Sequence, residues 1–275
     1  MERNNLQFDV KIGTSGYSYE DWRDNFYPSD IPKAGMLEFY SWFFNTVEIN
    51  SSYYRIPNHH VFQRMAEKTP PDFEFIVKVN QETTHRRLEN KQAINQLIEA
   101  LKPMMECQKL HGLLAQFPYS FRNTEANRRY LSETKRFVGD IPLFVEFRND
   151  SWLKPALIPF LRENGMCYVN VDQPGLKGLL PPQDVVTNPP GYIRFHGRNA
   201  AKWWDGQGSE RYDYEYTKNE LLEWLDNISR ILKKAPKTYI FFNNHPQGKA
   251  IKNARDMMEI LSSQLGIRFD TRAIM

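Results

Sequence analysis

A closed parallel α/β barrel of the TIM type, a (β/α)8 arrangement, is the fold this sequence predicts, and three observations predict it. Short β-branched or aromatic runs recur eight times in 275 residues. Stretches of helical period separate them, the order that builds a parallel sheet. The turn after the first run, GTSGYS at 13–18, lacks the GxGxxG spacing with which an open doubly wound sheet holds a dinucleotide. A barrel of roughly 250 residues is one domain, and no Gly/Ser-rich linker or solenoid period divides the chain, so residues 1–275 read as a single TIM-barrel domain.

The expected strands are FDVKIGT at 8–14, TVEINSS at 46–52, FEFIVKVN at 73–80 and GLLAQF at 112–117. LFVEFR at 143–148, MCYVNVD at 166–172, YIRFHG at 192–197 and TYIFFNN at 238–244 complete the eight. Each is bounded by Gly, Pro or Asn, the residues that stop strands. Between them, 33–44 follows Pro32, a good first-turn residue, and reads as a helix. Further helices are expected over 58–68, 90–110 and 124–138, the last with Ala126, Tyr130 and Phe137 along one face. Thr217 and Glu220 have capping-box spacing ahead of a stripe of Leu221, Trp224, Leu225, Ile228 and Leu232. The last helix opens at Gly248 and aligns Ala250, Ala254, Met257, Met258 and Leu261. The Pro-rich stretch 179–191 reads as a loop.

Composition excludes several classes. Apolar runs reach only four residues, as in YIFF at 239–242, far short of the ~20 that a membrane helix needs. The opening MERNNLQFDV has no apolar signal core, which points to a cytoplasmic protein. Cys107 and Cys167 then read as two free buried thiols. Lys plus Arg is 36 against 33 for Asp plus Glu, and a net charge of +3 is too mild to require nucleic acid.

In such a barrel, chemistry comes from the C-terminal ends of the strands, and alternate strand residues face the lumen. Seven of the eight expected strands end in polar residues, most at alternate positions: Glu48 with Asn50, Lys78 with Asn80, Glu146 with Arg148, Asn170 with Asp172, and Arg194 with His196. Gln116 closes the fourth strand, and Asn243 and Asn244 the eighth. Burying that many charges costs several kcal/mol per unpaired ion, so they either pair with one another as a polar plug or meet a ligand. Lys78, Arg148, Arg194 and His196 suit a phosphate, a carboxylate or a sugar-like anion. Arg194, Arg198 and the amides around Gly248 form an expected phosphate site at the last two strands. Glu48 or Glu146 is the expected general acid/base, Asp172 its partner and His196 a proton shuttle. Ser15, in a tight turn, and His85, in TTHRR, are candidate substrate contacts. The four groups Glu48, Glu146, Asp172 and His196 are of a type that holds a divalent ion, but HExxH and CxxC are absent. No metal is therefore assigned and no cofactor is required. Tyr17, Tyr19, Trp22, Tyr53, Tyr54, Trp152, Trp203 and Trp204 crowd the expected mouth and could stack on a sugar or base ring.

Ten ordered motifs span nearly the whole chain: GTSGYSYEDW at 13–22, FYP at 26–28, VEINSSYYRIP at 47–57, VKVN at 77–80 with His85, and AQFP at 115–118. VEFRNDSW at 145–152, VNVD at 169–172, RFHGR at 194–198, Trp203 and FFNNHPQGKAIKNA at 241–254 continue the series. This set resembles the YecE-like family, domain of unknown function 72. The resemblance implies a TIM barrel and implies no particular reaction. It covers Ser15, Glu48, Asn50, Lys78, His85, Gln116, Glu146, Arg148, Asp172, Arg194, His196 and Asn243. The leading expectation is an enzyme, a hydrolase or isomerase, for a small anionic or sugar-like substrate. The rivals are a protein that binds or processes nucleic acid, suggested by the aromatic rim and by HRR at 85–87, and a non-catalytic metabolite-binding protein.

Overall fold

The computed structural model describes residues 8–269 and residue 272. Its strands are β1 (Asp9–Thr14), β2 (Thr46–Ile49), β3 (Glu74–Lys78), β4 (Leu110–Gln116), β5 (Leu143–Glu146), β6 (Met166–Tyr168), β7 (Asn170–Asp172), β8 (Gly191–Phe195) and β9 (Lys237–Phe242). All pair in parallel, in two arcs ordered β2-β3-β4-β5-β6 and β1-β9-β8-β7. Both gaps between the arcs are closed. β6 and β7 are one stretch of chain hinged at Val169, whose N–H donates to Val145 O at 3.1 Å. β1 meets β2 through a parallel bridge between Ser15 and Glu48, with Gly16 N donating to Glu48 O at 2.7 Å. The result is the eight-stranded barrel that the pattern predicts, its sixth strand split by one residue.

The helices are α1 (Met36–Tyr40), α2 (Ser51–Tyr54), α3 (His59–Glu67), α4 (Asn90–Glu106), α5 (Glu125–Val138), α6 (Leu157–Glu163), α7 (Lys218–Leu222), α8 (Leu225–Lys234) and α9 (Lys249–Leu265). The Thr217–Glu220 capping box is present and opens α7. The single helix expected behind it is two, because the chain turns at Trp224 and re-caps there, keeping Leu221, Trp224, Ile228 and Leu232 buried. In α5 the buried face is Leu131, Thr134 and Val138, and Ala126 is exposed, so the expected stripe is rotated about the axis. The second strand stops at Ile49, and residues 51–52, expected to be its end, begin α2. Cys107 is exposed and only Cys167 is buried; both are free. No helix among the described residues is long and apolar enough to cross a membrane.

The seam between β1 and β2 has so few ladder bonds that a side chain completes it. Tyr40, fully buried at the end of α1, accepts from Thr14 N at 2.9 Å and donates to Thr46 O at 3.2 Å. One hydroxyl thus satisfies a donor on β1 and an acceptor on β2. Gly13 lets the strands approach, since a Cβ there would lie 2.4 Å from Thr46 O. Removing only the hydroxyl, in Tyr40→Phe, leaves the Thr14 N–H buried without its partner. We expect a loss of about 1–3 kcal/mol by urea denaturation with the fold retained; an unchanged unfolding midpoint would mean that the seam does not need this bridge.

Candidate functional site

Register decides which strand-end residues enter the lumen. Arg194 on β8 pairs with Val171 on β7 and Phe241 on β9; Gln116 on β4 pairs with Glu146 on β5; Ser15 bridges to Glu48. Arg194 lies at the centre of the convergence. Its Nη1 donates to Glu146 Oε2 at 2.5 Å, and its Nη2 to Glu48 Oε1 at 2.6 Å and Ser15 Oγ at 3.2 Å. Tyr192, two residues earlier on the same face, donates to the other Glu48 oxygen at 2.7 Å. On the far side, Glu146 Oε1 lies 2.7 Å from Arg148 Nε and 3.1 Å from His196 Nε2, close but without hydrogen-bond alignment. Asn243 Nδ2 approaches His196 Nδ1 at 3.1 Å. Donation from the amide leaves the imidazole proton on Nε2, facing Glu146.

The charges in this cluster set one another's state. Burial pushes the Glu146 carboxyl up, but Arg148, Arg194 and His196 outweigh it and hold it well below the usual carboxylate range. Burial also works against the charge on Arg194, and Glu146 and Glu48 overcome that too, raising its proton affinity. His196, sealed in and facing Arg148, is pulled down to about 3 despite Glu146, and is neutral at physiological pH. Glu48, Glu146, His196 and Ser15 are completely buried beneath the mouth.

Above this floor opens a pocket of about 670 Å³. Lys78, Arg148, Arg194, Asn50, Gln116 and Asn243 form its lower wall, with His85 beside them. Lys78 Nζ donates to Gln116 Oε1 at 3.0 Å and sits 4.6 Å over the Tyr53 ring. Burial, with Arg194 and Arg148 nearby, lowers it to about 8 in spite of Glu146 and Glu48. Arg148 donates to Gln173 at 3.3 Å and packs its guanidinium 5.4 Å from Trp203. His85 meets Tyr53 edge-on at 5.1 Å and is lowered to about 4, by burial first and then by Lys78 and Arg148. Tyr19, stacked on His245 at 4.4 Å, and Tyr54 and Trp204 complete an aromatic rim. The loop after β8 reaches across the mouth, and its Trp204 meets Tyr119 from the loop after β4 at 4.9 Å. Among the described residues that line this pocket there is no Asp or Glu.

The structure separates the expected site residues into three groups. Asn50, Lys78, His85, Gln116, Arg148, Arg194 and Asn243 line the pocket. Ser15, Glu48, Glu146 and His196 are fully buried beneath the pocket and are not among the residues that line it, so the groups expected as acid/base and as proton shuttle lie in the floor and not on the cavity wall. Asp172, Arg198 and Gly248 are elsewhere. Asp172 is the register partner of Phe195, not of Arg194, and points out into the helical layer. There it accepts from Tyr216 Oη at 2.6 Å, Trp224 Nε1 at 2.7 Å and Arg198 Nη2 at 2.8 Å. Arg198 is spent on Asp172 and Glu223, and the Gly248 N–H on His245 O, so the expected phosphate site is not assembled. With Asp172 outside, no three of His, Cys, Asp or Glu among the described residues converge as a metal would require. Trp22 and Trp152, expected at the mouth, are core residues, and Tyr17 packs beside Tyr40. His245, Arg211, Tyr212 and Tyr119 also line the pocket; no periodic signal marks the last three.

Residues 11–272 match the family model described as protein of unknown function DUF72, a span that includes every residue of the pocket and its floor. UPF0759 protein YunF of Bacillus subtilis (strain 168) is 30% identical over 269 residues, covering 92% of this chain and 94% of its own length. A solved DUF72 family protein from Thermotoga maritima MSB8 superposes with a TM-score of 0.85 at 37% identity, across 92% of this chain and 99% of that one. Another, from Enterococcus faecalis V583, gives a TM-score of 0.82 at 27% identity, across 95% and 97%.

The buried histidines make an acid-stability prediction. Unfolded, each takes a proton near pH 6.5; folded, His196 and His85 remain neutral down to about 3 and about 4. Between those limits the unfolded chain binds more protons, so stability rises with pH there. Glu146, held low, adds stability that is complete above about 4.3 and is lost below. Chemical denaturation between pH 7 and pH 4 is expected to show falling stability. His196→Gln should remove up to about one proton from the slope, or about 1.4 kcal/mol per pH unit. Identical slopes for the two proteins would contradict the assignment of His196 as buried and neutral.

Proposed function

The chain belongs to the DUF72 family, and we propose that it is an enzyme that binds a small anionic substrate, a phosphate or carboxylate, in the barrel mouth and acts on it by acid/base chemistry from Lys78. The observation that carries this reading is the charge of the pocket wall: Lys78, Arg148, Arg194 and Arg211, with no carboxylate facing them. The two acids that would neutralise them, Glu48 and Glu146, are already committed to Arg194 and Arg148 below. A ligand oxyanion therefore meets uncompensated positive charge in a half-closed cavity, where screening is weak. Arg148 offers a planar donor and Lys78 a compact one.

Catalysis needs a group that changes protonation near working pH, and Lys78, lowered to about 8, is that group on the wall. Deprotonated, it takes a proton from the bound substrate; protonated, it returns one. His85, neutral across the physiological range, stands across the Tyr53 ring as the second proton-handling side chain. Arg148 and Arg194 hold the negative charge that develops, and Glu146 and Glu48 keep both guanidinium groups fixed before the substrate arrives. The floor acids thus act as positioning residues.

Calorimetric titration with inorganic phosphate and with malonate tests the binding step. Each charged contact removed should cost about 1.5–3 kcal/mol. Lys78→Met and Arg148→Met are therefore each expected to weaken binding about 10- to 100-fold, while Lys102→Ala, on the exposed face of α4, leaves it unchanged. Equal affinity in all four proteins would remove the proposed site. Tight binding of a single-stranded oligonucleotide with a steep salt dependence, and none of the small anions, would favour the nucleic-acid reading instead.

A further inference from the structure

We propose that Lys78 acts as a nucleophile, forming an imine with the carbonyl carbon of an anionic aldehyde or ketone held in the barrel mouth. This rests on the anion-binding reading of the same pocket and adds the reacting group of the substrate to it.

Three features of the geometry point this way. Lys78 is the one primary amine on the described pocket wall. It stands at the C-terminal end of β3, in a well-packed strand rather than on a loop. It has no carboxylate within ion-pair distance among the described residues, because Arg194 takes Glu48 and Glu146 and Arg148 takes the remaining Glu146 oxygen. Its only hydrogen-bond partner there is the neutral Gln116 amide. A lysine that serves only to hold an anion gains from a nearby acid that keeps it charged and oriented. Here no acid among the described residues contacts the amine, burial disfavours its charge, and Arg194 and Arg148 add to that opposition in spite of the paired Glu146 and Glu48, which is how a lysine is made to release its proton and attack carbon. The lowering to about 8 agrees with this arrangement.

The step balances without any further reactant. The Lys78 Nζ lone pair attacks the carbonyl carbon and forms a C–N bond, while the carbonyl π pair moves to oxygen, which takes up a proton. The nitrogen loses one proton to solvent, the hydroxyl takes one from solvent and leaves as water, and C=N replaces C=O as a protonated imine, which becomes the neutral imine when the nitrogen gives up its second proton. Amine and carbonyl compound become imine and water; no electrons are gained or lost. The protonated imine then draws electrons from the adjacent carbon, so a bond to that carbon breaks more easily, with His85 placed across Tyr53 to take a proton. Arg148 holds the substrate's phosphate or carboxylate against the same wall.

Pyridoxal 5′-phosphate is the probe, because it joins an aldehyde, a phosphate and a planar ring in one molecule. The full chain is incubated with one equivalent, reduced with sodium borohydride and mapped by peptide mass spectrometry. The expected result is about one phosphopyridoxyl group per chain, on Lys78, with labelling that rises through pH ~8 and slows at least tenfold in excess inorganic phosphate. Lys78→Arg keeps the charge and should still bind phosphate calorimetrically while losing the adduct. Label scattered over exposed lysines with Lys78 unmodified, while phosphate still binds, would overturn the imine and leave the anion site standing. Failure of phosphate to bind or to compete would overturn both. Phosphate competition in the unsubstituted chain separates these outcomes even where Lys78→Arg does not fold.

Discussion

Everything at the barrel mouth depends on Arg194. It is 1% exposed, yet it joins β2, β5 and β1 across the lumen by gripping Glu48, Glu146 and Ser15. A buried guanidinium with one acid is costly to desolvate; with an acid on each fork and a hydroxyl beside them, the cost is largely offset. Without it two carboxylates would face each other in a dry interior. The arginine therefore fixes where the acids are, and with that, what they no longer do.

What they no longer do is neutralise the wall above. Each of the four carboxylate oxygens of Glu48 and Glu146 lies within hydrogen-bonding distance of a floor or side-wall donor. The contact between Arg148 and Glu146 is short but misaligned, so Arg148 is anchored by charge while its outer face stays turned to Trp203 and the cavity. Lys78 is left without a counter-ion. Burial lowers the proton affinity of Lys78 first, and the nearby Arg194 and Arg148 add to it, so the positive wall and the weakened lysine are linked.

The fold was legible because a barrel repeats one pattern eight times, so an error in one element changes little. The site was legible in direction but not in depth. Period-two alternation correctly turns Glu48, Lys78, Gln116, Glu146, Arg194 and His196 inward, yet it carries no information on which of them sits above another. The wrong direction, that of Asn170 and Asp172, follows from the same limit. Asn170 and Asp172 alternate just as Arg194 and His196 do, but their polar groups are satisfied from outside, by the Val185 backbone, Tyr216 and Trp224. Those partners lie 15 to 52 residues away in sequence, and nothing local announces them. The residues contributed by the loop after β8, such as Arg211 and Tyr212, have no period at all, because loop position depends on tertiary contacts.

The opposite end of the lumen holds a set of charges that satisfy one another around the buried Glu74. At the N-terminal end, Glu74 is met by Lys237 at 2.9 Å, Lys11 at 3.7 Å, His111 at 3.5 Å and the Tyr239 hydroxyl, while Asp9 also pairs with both lysines. Two acids balance two lysines. That is the self-satisfied plug that the sequence leaves open as an alternative, and it is present at the bottom of the barrel. The top departs from it in two linked ways: the charged partners of its acids are arginines, and among the described residues a lysine remains over, facing a cavity. A protein that needed only to close its lumen had the simpler solution available a few residues down the same strand β3, where Glu74 and Lys78 stand at opposite ends. Charge left unbalanced and given room is a cost to stability, one that the bottom of the barrel avoids by pairing and the top carries on Lys78.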